Sequence, residues 1–372
     1  MAPFSNTRGI GRASENGNRN AGVRMRYTDV CLEAISYVLP PQVVTSAMLE
    51  KWMKPLYDRL NLPEGRLELM TGIRERRFWK PGTKPSEASA KAARLAIDLA
   101  GLAIREVDCL LHCSVSRDFV EPATSTAVHR ELNLPPRALN FDVSNACLGV
   151  LSGMFLMANM IQLGQVQAGI VVSGENSGPL IDGTIERLIK DANLSRQDIK
   201  PYFASLTIGS AAAAVVMTHR SRSKTGHRLL GGAHCSNTQF NHLCQGSDDA
   251  GMTDASRPHM QTDAQELLQR GIDVAEQTWE DAKKELGWNN DTPTTVCCHQ
   301  VGRAHRQLLY ERLHLDMDKD FSTFEFLGNC GSASLPVTTA MAAEAGRLKK
   351  GDILALLGIG SGINCTMMGV EW

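Results

Sequence analysis

The stretch Phe141–Met154, FDVSNACLGVLSGM, decides how the rest of the chain is read. It opens like the end of a strand, passes through small polar residues to Cys147, and runs into an apolar segment that continues to Leu163. That segment has helix length and is apolar on nearly every side, the pattern of a helix enclosed by protein. Cys147 then stands at a strand-to-helix turn. The positive end of the helix dipole favours a thiolate there, the nucleophilic form of cysteine. The competing role is a small apolar filler, the commonest fate of a free cysteine.

Composition narrows the field. A chain of 372 residues holds one large core or two domain-sized halves. Its 43% hydrophobic and 21% charged content are those of a globular protein. A net charge of −1 gives no basic field, so nucleic acid is not an expected partner. The longest apolar candidate, Val150 to Ile161, is broken by Ser152, Gly153 and Asn159, so no membrane span is expected. Ten cysteines, mostly inside apolar runs (Cys109, Cys113, Cys297, Cys298), read as reduced thiols of a cytoplasmic protein. Residues 1–24 are rich in Asn, Ser, Gly and Arg without an apolar core, and read as a disordered tail.

Working outward, MRYTDVCLEAISYVLP (25–40) reads as a first strand, and Thr45 as the cap of a helix reaching Asp58. TGIRERRFWKPGTKP (71–85) reads as a basic loop, with Arg74 and Arg77 as weak candidates for a phosphate-bearing carrier. Helices are expected over Pro85–Ala103 and Thr124–Leu132, with a short strand over Val107–Ser114 between them. AGIVVSGENS (168–177) reads as a buried strand, and 179–201 as an amphipathic cap over a pocket. Ser205–His219 reads as strand, kinked at Gly209 or paired, Thr262–Leu286 as a long helix, and Thr294–Gly302 as a strand that ends at His299. His234, Cys235, His242 and Cys244 cluster, but their spacing fits no standard zinc pattern.

The chain repeats itself. In the first half, the Cys147 turn leads to a buried helix, LGQVQAG and the strand IVVSG. In the second, the Asn329 turn leads to a helix of small apolar residues, LKKGD and the strand ILALLGIG. Cys147 to Gly174 spans 27 positions and Asn329 to Gly358 spans 29. Alternating strands and helices predict parallel sheet, and two copies predict two pseudo-symmetric halves, residues 25–225 and 226–372, packed through their buried helices. Cys147 and Asn329 then occupy equivalent turns, with His299 facing the same cavity. Nucleophile, imidazole and amide converge. A cysteine so placed takes an acyl group from a thioester, and a histidine beside an asparagine donates hydrogen bonds to an oxyanion or enolate. The glycines of Gly358–Gly362 lack the spacing of a dinucleotide fingerprint, so no cofactor is expected.

DVSNACLG, HQVGRAH and GNCGSAS, in this order, resemble the Cys, His and Asn motifs of the thiolase-fold condensing enzymes, with β-ketoacyl-ACP synthase III as the nearest group. SVSRDFVEPATST and LGIGSGINCTMMGVEW resemble the OleA-type branch, which joins two fatty acyl thioesters head to head. The resemblance covers residues 25–372. It implies an α/β thiolase fold, layered α-β-α-β-α from two βαβαβ halves, and a homodimer. It implies that Cys147 carries the first acyl group and that His299 and Asn329 stabilise the enolate of the second substrate. It implies that the backbone around Gly358, Gly360, Ser361 and Gly362, with Cys147 N–H, holds the thioester oxygen. Glu121 matches the glutamate that enters the partner subunit's site. The implied partners are acyl-CoA or acyl carrier protein, with malonyl-ACP as extender if the condensation is decarboxylating. The run RLELMTGI lacks the Trp and Arg that acetyl-CoA-priming members carry. The alternatives are acyl transfer to an oxygen or nitrogen acceptor, and an inactive subunit that binds acyl chains.

Overall fold

Two sheets of one topology, five strands each with the two-residue strand Met25–Arg26 added beside Arg228–Ser236, enclose two apolar helices. The computed structural model describes residues 25–246 and 259–372, and the tail expected over 1–24 lies outside them. The N-terminal sheet runs in space Leu139–Asp142, Cys109–His112, Ala168–Glu175, Ala211–His219, Val30–Val38. The C-terminal sheet runs Asp320–Phe321, Thr295–Cys298, Ile353–Gly360, Asn364–Glu371, Arg228–Ser236. By sequence rank within each half both orders read 3-2-4-5-1, which is the repeat seen in the sequence written as topology. The two first strands meet edge to edge through the antiparallel pair Cys31–Arg228, so the sheets join into one.

The sheets are mixed, where alternation alone predicted parallel strands. The first three strands of each order pair in parallel, and the fourth pairs antiparallel with both the third and the fifth. At the C-terminus only residues 361–363 separate Ile353–Gly360 from Asn364–Glu371. A three-residue turn cannot make the crossover that a parallel pair needs.

Helices Gly149–Gln162 and Ser334–Glu344 form the middle layer. Their core joins both sheets, with Leu111, Val171 and Met217 on one side and Leu354, Leu356 and Met368 on the other. Gly153 allows the first helix to lie flush on its sheet. A Cβ there would stand 2.4 Å from Cys113 Sγ and 2.7 Å from Val171 Cγ1. Pro85–Ala100 and Thr124–Leu132 cover the outer face of the N-terminal sheet, and Ala264–Leu286 and Arg303–Leu313 that of the C-terminal sheet. The result is five layers, α-β-α-β-α.

A satellite core sits over one end. Strands Gln42–Thr45 and Glu75–Phe78 pair as a ribbon, and three short helices between them pack on Gly178–Lys190. The basic loop expected over 71–85 is therefore part strand. Arg76 is fully buried, its Nη1 donating to Ser46 Oγ at 3.0 Å and its Nη2 to Leu206 O at 3.1 Å. Thr45 does cap a helix, its Oγ1 accepting from Met48 N at 3.1 Å. That helix stops at Trp52 and a second begins at Lys54, with Pro55 in its first turn. Proline has no N–H to continue the first ladder, but it fits a helix start. Helix 178–190 covers only the first part of the cap expected over 179–201. No helix among the described residues is long and apolar enough to cross a membrane.

Candidate active site

The two central helices begin at the same place. Cys147 lies in the turn Ala146–Leu148 before one, and Asn329 just before the turn Gly331–Ala333 that leads into the other. Val150 N–H donates to Ser332 Oγ at 2.7 Å, tying one helix start to the other. Ala146 holds φ at 44°, a sharp bend that few side chains tolerate, and so turns Cys147 out of the strand direction.

Cys147, His299 and Asn329 line one cavity of about 720 Å³, together with Gly360 and Ser361. Its far wall comes from helix Ala264–Leu286, through Leu267, Leu268 and Gly271, and its rim includes Pro179 and Leu180 of the cap. The walls are mostly apolar, with a few convergent polar groups, as in a site for a long apolar substrate.

Each polar group is set by its surroundings. Asn329 Oδ1 accepts from Gly331 N at 2.9 Å and from Ser334 Oγ at 3.4 Å, so its amide N–H groups are the donors left for the cavity. Its backbone is pinned on both sides: Asn329 N donates to Thr207 O at 3.0 Å and Asn329 O accepts from Gly209 N at 2.9 Å. His299 ends the strand Thr295–Cys298, with His299 N–H donating to Leu357 O at 2.9 Å. Burial pulls its ring down to about 3, with His305 adding to the effect, so the imidazole is neutral at physiological pH. His299 Nδ1 and His305 Nε2 have no hydrogen-bond partner among the described residues.

Cys147 departs from the expectation of a thiolate. It is half-buried as a residue, but its sulfur is enclosed, and burial with Glu175 and Cys244 nearby pushes the thiol up to about 12. Desolvation outweighs the helix terminus, whose effect is confined to a single turn.

Other expected residues lie elsewhere. Gly360 meets Cys147: a Cβ there would stand 3.4 Å from Cys147 N. Gly358 and Gly362 do not line the cavity. Gly358 is a packing glycine, where a Cβ would stand 2.3 Å from Leu151 Cδ1. Glu121 is exposed, on a loop whose root is held by Asp118, which accepts Ser86 N–H at 2.9 Å. Arg74 is exposed, Arg77 donates to Pro40 O at 3.3 Å, and neither lines the cavity. In the His–Cys cluster, His234 is bonded to Thr366 Oγ1 and Ser236 Oγ, and no group of three metal-ligating side chains occurs among the described residues.

Among the cavity residues that the sequence reading did not single out, three carry ionisable side chains. Glu175 closes a strand that reads as apolar, Arg117 sits four positions before Glu121, and His305 lies in the first turn of an unexpected helix, Arg303–Leu313. A single carboxylate ending a buried strand was the available signal for Glu175.

Comparison with known proteins agrees with this geometry. Two family models match, 3-oxoacyl-[acyl-carrier-protein] synthase III over residues 141–237 and its C-terminal part over residues 284–372. The chain is 40% identical to the acyl-CoA:acyl-CoA alkyltransferase of Shewanella oneidensis, over 94% of this chain and all of that one. It is 26% identical to the β-ketoacyl-[acyl-carrier-protein] synthase III of Rhodospirillum centenum, over 81% of this chain and 88% of that one. The crystal structure of cerulenin-bound Xanthomonas campestris OleA superposes with a TM-score of 0.87 at 34% identity, covering 93% of this chain and 98% of that one. A cysteine-to-serine variant of the same OleA, with bound lauric acid and lauroyl-CoA, also gives 0.87 and covers 93% of this chain and all of that one. The chain is an acyl-transferring enzyme of the thiolase superfamily and belongs to the 3-oxoacyl-ACP synthase III family of condensing enzymes, in its OleA-like branch.

Proposed function

We propose that this protein condenses two long-chain acyl-CoA molecules head to head, without decarboxylation, to give a β-ketoacyl-CoA. The observation that carries this reading is the cavity: one apolar space of about 720 Å³ brings together the sulfur of Cys147, the neutral imidazole of His299 and the amide donors of Asn329. Relatives that carry the alkyltransferase name support CoA as the carrier.

In the first step Cys147 sulfur attacks the thioester carbonyl. Its proton passes to the neutral His299 and then to the departing CoA sulfur, which leaves as the free thiol. The backbone N–H of Cys147, beside Gly360, faces the developing oxyanion. In the second step a base removes an α-proton from the second acyl-CoA. His299 and Asn329 donate to the enolate oxygen, the α-carbon attacks the acyl-cysteine carbonyl, and Cys147 leaves and regains a proton.

The base is Glu121 of the partner subunit in a homodimer. Val115, Phe119 and Val120 on the Glu121 loop are exposed, as are Leu139 and Phe141 on the edge strand of the N-terminal sheet. Together they make an apolar, unpaired edge suited to a second copy. The ten free cysteines suit a reducing compartment, the cytoplasm.

Intact-mass measurement of the purified protein with a long-chain acyl-CoA tests the first step against Cys147→Ala. An acyl adduct lost in the variant is expected. Product analysis with and without malonyl-ACP tests the second. A β-keto product formed without malonyl-ACP is expected, while a strict need for it would replace head-to-head condensation with decarboxylative chain extension. No adduct from any acyl-CoA or acyl-ACP would overturn the reading.

A further inference from the structure

Glu175 has no part in the chemistry above, yet it is the carboxylate built into the cavity wall. It ends the strand Ala168–Glu175, is 4% exposed, and lines the cavity with Cys147 and Asn329. Its Oε1 accepts from Val115 N at 2.9 Å and from Ser332 N at 3.1 Å, and its Oε2 accepts from Ser116 N at 3.0 Å. Three backbone N–H donors converge on two oxygens, which favours the carboxylate form, while burial pulls its pKa upward.

The donors come from both halves of the fold. Ser332 belongs to the turn that follows Asn329, and Gly331 between them holds φ at 55°. A Cβ on Gly331 would stand 3.1 Å from Glu175 Oε1, so the turn packs directly on the carboxylate. Val115 and Ser116 begin the loop that leads to Glu121. Ser116 Oγ also accepts from Asn176 N at 3.0 Å, which fastens that root a second time.

We propose that Glu175 is a positioning residue for the second half-reaction: its buried carboxylate ties the Asn329 turn of its own site to the root of the loop that carries Glu121 towards the partner's site. The inference rests on the roles given to Asn329 and Glu121 under the proposed function. Neither contact reaches the backbone N–H of Cys147 or the Gly360 strand end, which serve the first step. Loss of the carboxylate therefore slows condensation, while acylation is kept or quickened because a charge that helps raise the Cys147 thiol is gone. Misplacement of a stabilising group by a fraction of an ångström is enough for a large loss of rate.

The test is Glu175→Gln in the full-length dimer-competent protein, with CoA release and β-keto product followed together. Glutamine keeps the shape, but sets its NH2 against one backbone donor. A burst of CoA stoichiometric with Cys147 is expected, no slower than about a third of the wild-type rate, followed by condensation slowed by about tenfold to a hundredfold. Acyl-enzyme then accumulates in the mass spectrum. Glu175→Asp keeps the charge and is expected to recover part of the turnover. Condensation at the wild-type rate would overturn the proposal, as would parallel loss of burst and turnover in a protein that still melts cooperatively. If E175Q does not fold, E175D carries the test alone: slowed condensation with the burst retained supports the proposal, and wild-type condensation overturns it. A wild-type protein that forms no adduct on Cys147 would overturn the proposed function itself, whatever the variants do.

Discussion

Gly360 stands against the backbone nitrogen of Cys147, so closely that a Cβ added to it would lie 3.4 Å from that nitrogen and 3.3 Å from Leu148 Cγ. The strand end of one half thereby shapes the space in front of Cys147 in the other. Gly360→Ala is expected to crowd the oxygen of the incoming thioester and to slow acylation of Cys147 by about tenfold or more, with little change in melting temperature. Single-turnover CoA release measures it. Unchanged acylation would show that the thioester oxygen sits elsewhere.

The Cys147 thiol, pushed up to about 12, should be mainly protonated in the empty site. Alkylation of Cys147 by iodoacetamide is expected to rise steadily between about pH 7 and pH 9, because the thiolate fraction grows tenfold per pH unit below the pKa. Its surroundings fix the sign: burial raises the thiol most, Glu175 and Cys244 add to it, and the nearby imidazoles of His299 and His305 are neutral and give no opposing charge. Peptide mapping of the alkylated site reads the rate. A plateau below about pH 8 would mean a pre-formed thiolate.

Burial also makes the histidines a liability in acid. His299 and His305 are held down to about 3 and about 4, against 6.5 for an ordinary histidine. Below 6.5 the unfolded chain binds protons that the folded protein refuses. Stability then falls as pH falls, by up to about 1.4 kcal/mol per pH unit for each group, until the folded pKa is reached. Melting temperature is expected to drop between about pH 6.5 and pH 4.5, and His305→Gln to flatten part of that slope. A slope unchanged by H305Q would assign the acid sensitivity to other groups.

Glu121 is exposed in its own protomer, so its chemistry should complement between subunits. Glu121→Gln and Cys147→Ala are each expected to be nearly inactive in condensation. Subunits exchanged in an equal mixture are expected to recover about a quarter of wild-type turnover, since half the dimers then hold one intact site of two. No recovery in a mixture shown to exchange would place Glu121 in its own site or outside catalysis.

Packing in the middle layer sets a stability test. Gly153→Ala puts a methyl group where 2.4 Å separates its Cβ from Cys113 Sγ, and is expected to cost about 1–3 kcal/mol. Adding Cys113→Ala removes that sulfur and should restore part of the loss. A denaturant series on the two single variants and the double variant measures the coupling.

The sequence made the middle layer legible because its signal is local and strong. A turn of small residues followed by an all-round apolar run occurs at both Cys147 and Asn329, and it locates both buried helices. The ribbon of Gln42–Thr45 with Glu75–Phe78 was not legible. Its strands have four residues each and lie far apart in the chain, and the charges of ERRF hide an in-out alternation in which Arg76 points inward. Helix Arg303–Leu313 was missed because its apolar stripe is narrow, resting on Leu309, Tyr310 and Leu313, and His305 went with it. The surroundings of Cys147 were not legible for a different reason. The dipole that favours a thiolate is visible in the local pattern, whereas the desolvation that opposes it depends on Glu175, Cys244 and walls that only the tertiary structure assembles.

Helix Ser334–Glu344 belongs by sequence to the C-terminal half, yet it packs on the strands Val30–Val38 and Ala211–His219 of the N-terminal one. Each half has lent its most apolar element to an interior that it does not own outright. Severed between His219 and Arg228, neither fragment would keep that helix layer dry, and each would expose a surface shaped for the other. The two halves together thus fold as one cooperative unit, and two co-expressed fragments should behave as a split enzyme whose activity returns only on reassembly.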